Sequence, residues 1–92
     1  MIKTFASKQT KALYEGKPVK GWLSFKKQAE KRLQILDSAT CLDDLKYLPS
    51  NRLEALSGDR KGEYSIRINK QWRICFKWID NKPYDVEIVD YH

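Results

Sequence analysis

Histidine occurs once in these 92 residues, at His92, and cysteine twice, at Cys41 and Cys75. The two cysteines are far apart and lack CxxC or mixed Cys/His spacing, so a zinc site has too few ligands. No metal and no cofactor are expected. Cys75 falls in a hydrophobic strand pattern and reads as a reduced thiol in the core or on a sheet face. No apolar run approaches the ~20 residues of a membrane span. The start, Met1-Ile2-Lys3-Thr4-Phe5, runs straight into polar sequence without a signal-peptide core. The expected location is therefore the cytoplasm, with no membrane partner, and a cytosolic setting argues against a Cys41–Cys75 bridge. Neither a repeat nor a low-complexity segment appears, and no stretch reads as a linker. Acidic residues are the remaining deficit: 12 against 18 Lys and Arg, a net charge of +6. That imbalance points to a polyanionic partner, nucleic acid or an acidic protein, without choosing between them.

What is present suits a single domain over residues 1–92 with one modest core. Hydrophobic residues at 41% with 33% charged residues describe an ordinary globule rather than a disordered tail. Ile2 to Phe5 is a short strand candidate. Lys8 to Glu15 predicts a short helix with Ala12 and Leu13 inward, stopped by Gly16 and Pro18. From Val19 to Asp37 a longer helix is expected: Trp22, Phe25, Ala29, Leu33 and Leu36 share a narrow stripe. Lys26, Lys27, Lys31 and Arg32 lie off that stripe, on a solvated face or on a surface for RNA or a partner. Thr40 is placed to cap a further turn through Asp43 and Asp44, ending before Pro49.

From Arg52 the period changes to two. Arg52 to Ser57 is a weak strand, followed by the turn-rich Gly58-Asp59-Arg60-Lys61-Gly62. Glu63 to Ile68 alternates, with Tyr64, Ile66 and Ile68 on one face and Ser65 and Arg67 on the other. Trp72 to Trp78 repeats the pattern: Trp72, Ile74, Phe76 and Trp78 against Arg73, Cys75 and Lys77. The short Asn69-Lys70-Gln71 loop makes the two a hairpin. Setting Ile68 opposite Trp72 puts Ile66 opposite Ile74 and Tyr64 opposite Phe76. After an Asp80-Asn81-Lys82-Pro83 turn, a last strand runs from Tyr84 to Val89. The expected class is α+β, with N-terminal helices packed on one face of a mainly antiparallel sheet of four to five strands.

The same register sets Arg67 opposite Arg73 on the polar face. Like charges directly across an antiparallel pair are destabilising, so the placement asks for an anion. A phosphate answers that need, and so does a carboxylate such as Glu54 on the neighbouring strand; the pattern supports both equally. The ending Asp90-Tyr91-His92 brings an acid, an aromatic ring and an imidazole to one sheet edge. His92 is the side chain suited to proton transfer near neutrality, and Tyr91 is suited to stacking on a base. Against this, terminal residues are usually frayed and a lone terminal histidine usually incidental.

The segments Asn51-Arg52-Leu53-Glu54-Ala55-Leu56-Ser57-Gly58-Asp59-Arg60, Ser65-Ile66-Arg67-Ile68-Asn69, Gln71-Trp72-Arg73-Ile74-Cys75-Phe76 and Asp90-Tyr91-His92 resemble the HigB toxins of the RelE/ParE superfamily. The resemblance covers the whole chain and is most specific in the hairpin and the Asp-Tyr-His terminus. It implies a RelE-like microbial RNase fold and a type II toxin that cleaves mRNA in the ribosomal A site, metal-free, by attack of the ribose 2′-OH on the adjacent phosphate. Glu54, Arg73, Asp90, Tyr91 and His92 are the implied catalytic positions, with Arg60, Arg67, Lys70 and Lys77 as RNA or phosphate contacts. Two positions depart from the better-known pattern: Glu54 stands where a strand histidine is usual, and Ser57 where a lysine is usual. That version is similar to the GraT-like branch of milder toxins. Glu54 serves as a base where burial or neighbouring like charges make it more basic; otherwise it is an ion-pair partner of Arg73. Implied partners are a HigA-like helix-turn-helix antitoxin, the 70S ribosome and mRNA, with operator DNA reached only through the antitoxin. Alternatives are a ParE-like toxin that binds gyrase, a catalytically weak RNA- or ribosome-binding relative, and an ordinary structural domain; fold alone does not separate them.

Overall fold

Alternating apolar residues pull the second half of the chain into a four-stranded antiparallel meander, ordered β1 (Glu54–Ala55), β2 (Glu63–Arg67), β3 (Trp72–Ile79) and β4 (Lys82–Asp90). The computed structural model describes residues 1–90, so Tyr91 and His92 lie outside the described residues. Pairing follows the expected register, with Tyr64 opposite Phe76, Ile66 opposite Ile74 and Arg67 opposite Arg73. Ile66, Ile68, Ile74, Phe76, Val86 and Ile88 form a buried face. Helix α1 (Lys8–Tyr14) and helix α2 (Lys26–Ser38) supply Leu13, Ala29, Leu33 and Leu36 to the same core, and the short α3 (Leu42–Lys46) adds Leu45.

Several boundaries differ from the sequence expectation, each for a local reason. The long helix begins at Lys26 rather than Val19. Gly21 sits at φ 89°, which a right-handed helix does not accept, and only a 3-10 turn, Leu23–Phe25, precedes α2. Trp22 and Phe25 instead close over Trp72, with ring centroids 6.0 and 4.9 Å away. Cys41, not Thr40, occupies the N-cap of α3; Thr40 donates its backbone N–H and hydroxyl to the Asp44 carboxylate at 2.8 and 2.9 Å. Those bonds hold the Asp44 carboxyl below the usual carboxylate range. The Arg52–Ser57 strand shrinks to Glu54–Ala55 because Arg52 adopts a left-handed conformation, φ 45° and ψ 55°. The last turn is only Asp80-Asn81, both at positive φ, and Lys82 and Pro83 already belong to β4.

Ile2–Phe5 is not a full strand but an extended segment bonded to β4, with one parallel bridge from Phe5 to Val86. Opposite it, β4 carries one extra residue between Tyr84 and Glu87, and Asp85 takes φ 52° there. Beyond this segment Thr10, fully buried, takes over: its hydroxyl accepts the Ile88 N–H at 3.0 Å. Thr10→Val keeps the shape and leaves that N–H without an acceptor, an expected loss of about 1–3 kcal/mol. Thermal unfolding followed by circular dichroism checks it, at roughly 4–8 °C of midpoint per kcal/mol for a domain of this size.

Candidate functional site

The polar face of the sheet gathers Glu54, Ser65, Arg67, Arg73, Cys75 and Glu87. Glu54 pairs with Ser65, Ser65 with Cys75, and Cys75 with Glu87, one residue from each strand in a single row across the sheet. In the next row Arg67 faces Arg73, which faces Val89. Arg73 is 6% exposed. Its Nε donates to Ser65 Oγ at 2.8 Å, and its Nη2 donates to the Arg52 carbonyl at 2.6 Å and the Ser65 carbonyl at 3.3 Å. Glu54 Oε1 stands 3.8 Å from Nη1, on a side chain that is half exposed. The carboxylate partner weighed from the pattern is therefore present, as a loose pair rather than a closed one. Arg67 turns its Nε to the Asn69 carbonyl at 3.1 Å. Among the described residues, the hydrogen bonds that orient both guanidiniums go to neutral oxygens: Ser65 Oγ and two carbonyls for Arg73, and the Asn69 carbonyl for Arg67.

A notch of about 280 Å³ opens beside β1, lined by Glu54, Ser57, Asp59 and Arg60 among others. It brings together the two positions that depart from the HigB pattern, next to the buried Arg73. Arg60 is already committed: it donates to Glu63 at 3.1 Å and to Glu87 at 2.8 Å. The bond to Glu87 raises its pKa above the ordinary guanidinium value, so it stays charged. Fully buried Cys75 lies within reach of this cluster, and burial pushes its thiol up; it is protonated at neutral pH and unsuited to nucleophilic work. Both cysteines are free thiols.

The remaining candidates are spread out. Lys77 lies four residues along β3 from Arg73, roughly 13 Å at strand rise, and pairs with Asp85 at 3.2 Å. Lys70 is exposed on the hairpin loop. Asp90 pairs with Trp72, in the row next to Arg73's, and so belongs to the opposite side of the sheet from Arg73; its Oδ2 accepts from Gln71 Nε2 at 3.0 Å. Tyr91 and His92 lie outside the described residues. Sequence reasoning missed Ser65 and the Arg52 carbonyl as supports of Arg73. The parity of β2 placed Ser65 on Arg73's face and was the available signal; nothing local announced Arg52. Among the described residues, no group of three or more His, Cys, Asp or Glu is placed to hold a metal ion.

Residues 3–92 match the family described as HigB-like toxin, the RelE-like toxin of the type II toxin-antitoxin system HigB. The chain belongs to this family. Endoribonuclease HigB of Proteus vulgaris is 36% identical over 93 residues, covering 100% of both chains. Toxin HigB-1 of Vibrio cholerae serotype O1 is 50% identical over 50 residues, and that match spans about half of each protein, 54% of this chain and 53% of the relative. Among solved structures, the YoeB-YefM complex from Staphylococcus aureus superposes with a TM-score of 0.61 at 21% identity, over 100% of this chain and 98% of that one. This likeness establishes a shared α+β fold. No described helix is long and apolar enough to cross a membrane.

Proposed function

We propose that this chain is a toxin of a type II toxin-antitoxin system and an endoribonuclease that cleaves mRNA in the ribosomal A site. The observation that carries the reading is the buried Arg73, aimed by Ser65 and Arg52 and standing 3.8 Å from a half-exposed carboxylate beside an open notch. Whole-length similarity to a protein named an endoribonuclease supports it.

In the reaction, the ribose 2′-oxygen bonds to the adjacent phosphorus and the phosphorus–5′-oxygen bond breaks. The products are a 2′,3′-cyclic phosphate and a 5′-hydroxyl end. Glu54 is half exposed rather than buried, and its loose pairing with Arg73 leaves the carboxylate accessible in the notch to take the 2′-OH proton. His92 gives a proton to the departing 5′-oxygen, and Arg73, with Arg67 beside it, carries the charge of the five-coordinate phosphorus. Tyr91 stacks on a flanking base and Asp90 orients the terminal segment. A carboxylate in place of the usual histidine, and a serine in place of the usual lysine, remove positive charge at the notch. The enzyme is accordingly a slower member of its family, in line with the GraT-like branch. Its site of action is the cytoplasm, and a HigA-like helix-turn-helix antitoxin restrains it and carries it to operator DNA.

Mapping mRNA 5′ ends on purified 70S ribosomes, with and without the protein, tests the reading. New 5′-hydroxyl ends at the A-site codon are expected. Intact message together with inhibited gyrase supercoiling overturns the nuclease reading in favour of a ParE-like toxin.

A further inference from the structure

Most cations whose partners are fixed in this protein sit against carboxylates: Lys26 on Glu30, Arg60 on Glu63 and Glu87, Lys77 on Asp85. The hairpin end of the sheet is different. There α2, the turn before β1 and the 69–71 loop enclose an open groove of about 510 Å³ whose walls include Arg32, Arg52, Arg67 and Lys70. No acidic residue lines it among the described residues. Arg32 donates to the buried Asn51 Oδ1 at 2.6 Å, and Arg67 to the Asn69 carbonyl at 3.1 Å. Both partners are neutral. The Arg52 and Lys70 side chains make no hydrogen bond or ion pair among the described residues. Four cations from three separate stretches thus converge on one concavity without a counter-charge. Such an arrangement costs self-repulsion unless an anion occupies it.

We propose that this groove seats the sugar-phosphate backbone of the RNA strand flanking the cleaved phosphate. Arg52 supplies the connection. Its left-handed backbone turns its carbonyl toward Arg73, at 2.6 Å from Nη2, and leaves its side chain on the groove wall. One residue therefore belongs to both the reacting site and the groove, so a strand leaving Arg73 passes directly between the four cations. The neutral walls, Gln28, Ser50 and Asn69, offer hydrogen bonds to phosphate and ribose, and no aromatic ring lines the groove among the described residues to select a base. Recognition there is of backbone, not sequence.

The proposal rests on the nuclease reading, and its test separates the two. A fluorescent 12-nucleotide RNA with 2′-O-methyl sugars, which cannot be cleaved, is titrated against the protein by anisotropy over a salt series. Arg32→Gln/Lys70→Gln is expected to weaken binding by roughly tenfold and to lower the log–log salt slope by about 1.4, two single-strand phosphate contacts. Lys70→Glu, at an exposed side chain, gives the same direction without touching Asn51. Lys46→Gln/Lys82→Gln, exposed cations outside the groove, is expected to change neither. Unchanged affinity and slope in both groove variants overturn the proposal, whatever the cleavage assay returns. A polyglutamate peptide that binds wild type more tightly than the RNA does, with the same sensitivity to the groove variants, overturns it in favour of an acidic protein segment. A wild-type chain that binds the RNA through the groove yet yields no new 5′ ends on ribosomes leaves the groove standing and removes the nuclease reading.

Discussion

Arg73→Ala is expected to cut ribosome-dependent mRNA cleavage by about 10²–10³-fold, the usual effect of removing one preorganised donor from a developing anion. The same change reaches the fold. Arg73 is buried, and its loss leaves Ser65 Oγ and the Arg52 carbonyl without their donor. Stranding such acceptors costs on the order of 2–4 kcal/mol. Urea denaturation of the purified variant measures that loss, and cleavage assayed well below the unfolding midpoint isolates the chemical effect. Arg73→Lys keeps the charge but lacks the planar fork that reaches Ser65 and Arg52 together. It is expected to recover part of the stability and little of the rate. Full activity in Arg73→Ala at a temperature where it is folded would remove Arg73 from the reaction.

Removal of Tyr91 and His92 is the second large effect, and it has the opposite profile. Loss of a general acid costs about 10²–10⁴-fold in rate. The loss of stability is expected to be smaller than for Arg73→Ala, because among the described residues β4 contributes to the hydrophobic core through Val86 and Ile88. A substrate whose 5′-bridging oxygen is replaced by sulfur needs no proton on its leaving group. Cleavage of that substrate by the truncated chain at near wild-type rate assigns the terminal imidazole to the acid step. Equal losses on both substrates assign the terminus to binding instead.

The sheet was legible before the structure because period-two alternation on both sides of Asn69-Lys70-Gln71 admits one register that buries Ile66, Ile74 and Phe76 together, with Tyr64 packed against them. The facing of Arg67 and Arg73 followed from that register. The start of α2 was not legible: Trp22 and Phe25 fit a helical stripe, yet they are buried by closing over Trp72, a contact made across about fifty residues of chain. Arg52 shows the same limit more sharply. An arginine in the left-handed region is stabilised by what surrounds it, and its sequence neighbours carry no sign of that. The groove escaped for a related reason, since its four cations come from α2, the pre-β1 turn, β2 and the hairpin loop, and no local window contains them. Lys77 illustrates the converse: its type and strand parity matched a phosphate contact, while Asp85, turned outward by the extra residue in β4, holds it at the far end of the sheet.

Thr10 and the extended Lys3–Ala6 segment have a consequence at high concentration. Together they occupy the hydrogen-bonding positions along the outer side of β4, while the opposite border of the sheet ends in a strand of two residues. Among the described residues, neither flank offers a neighbouring molecule a long row of free amides on which to add another strand. Cross-chain polymerisation is thereby starved of a template, and the protein can accumulate as separate molecules rather than as fibrils.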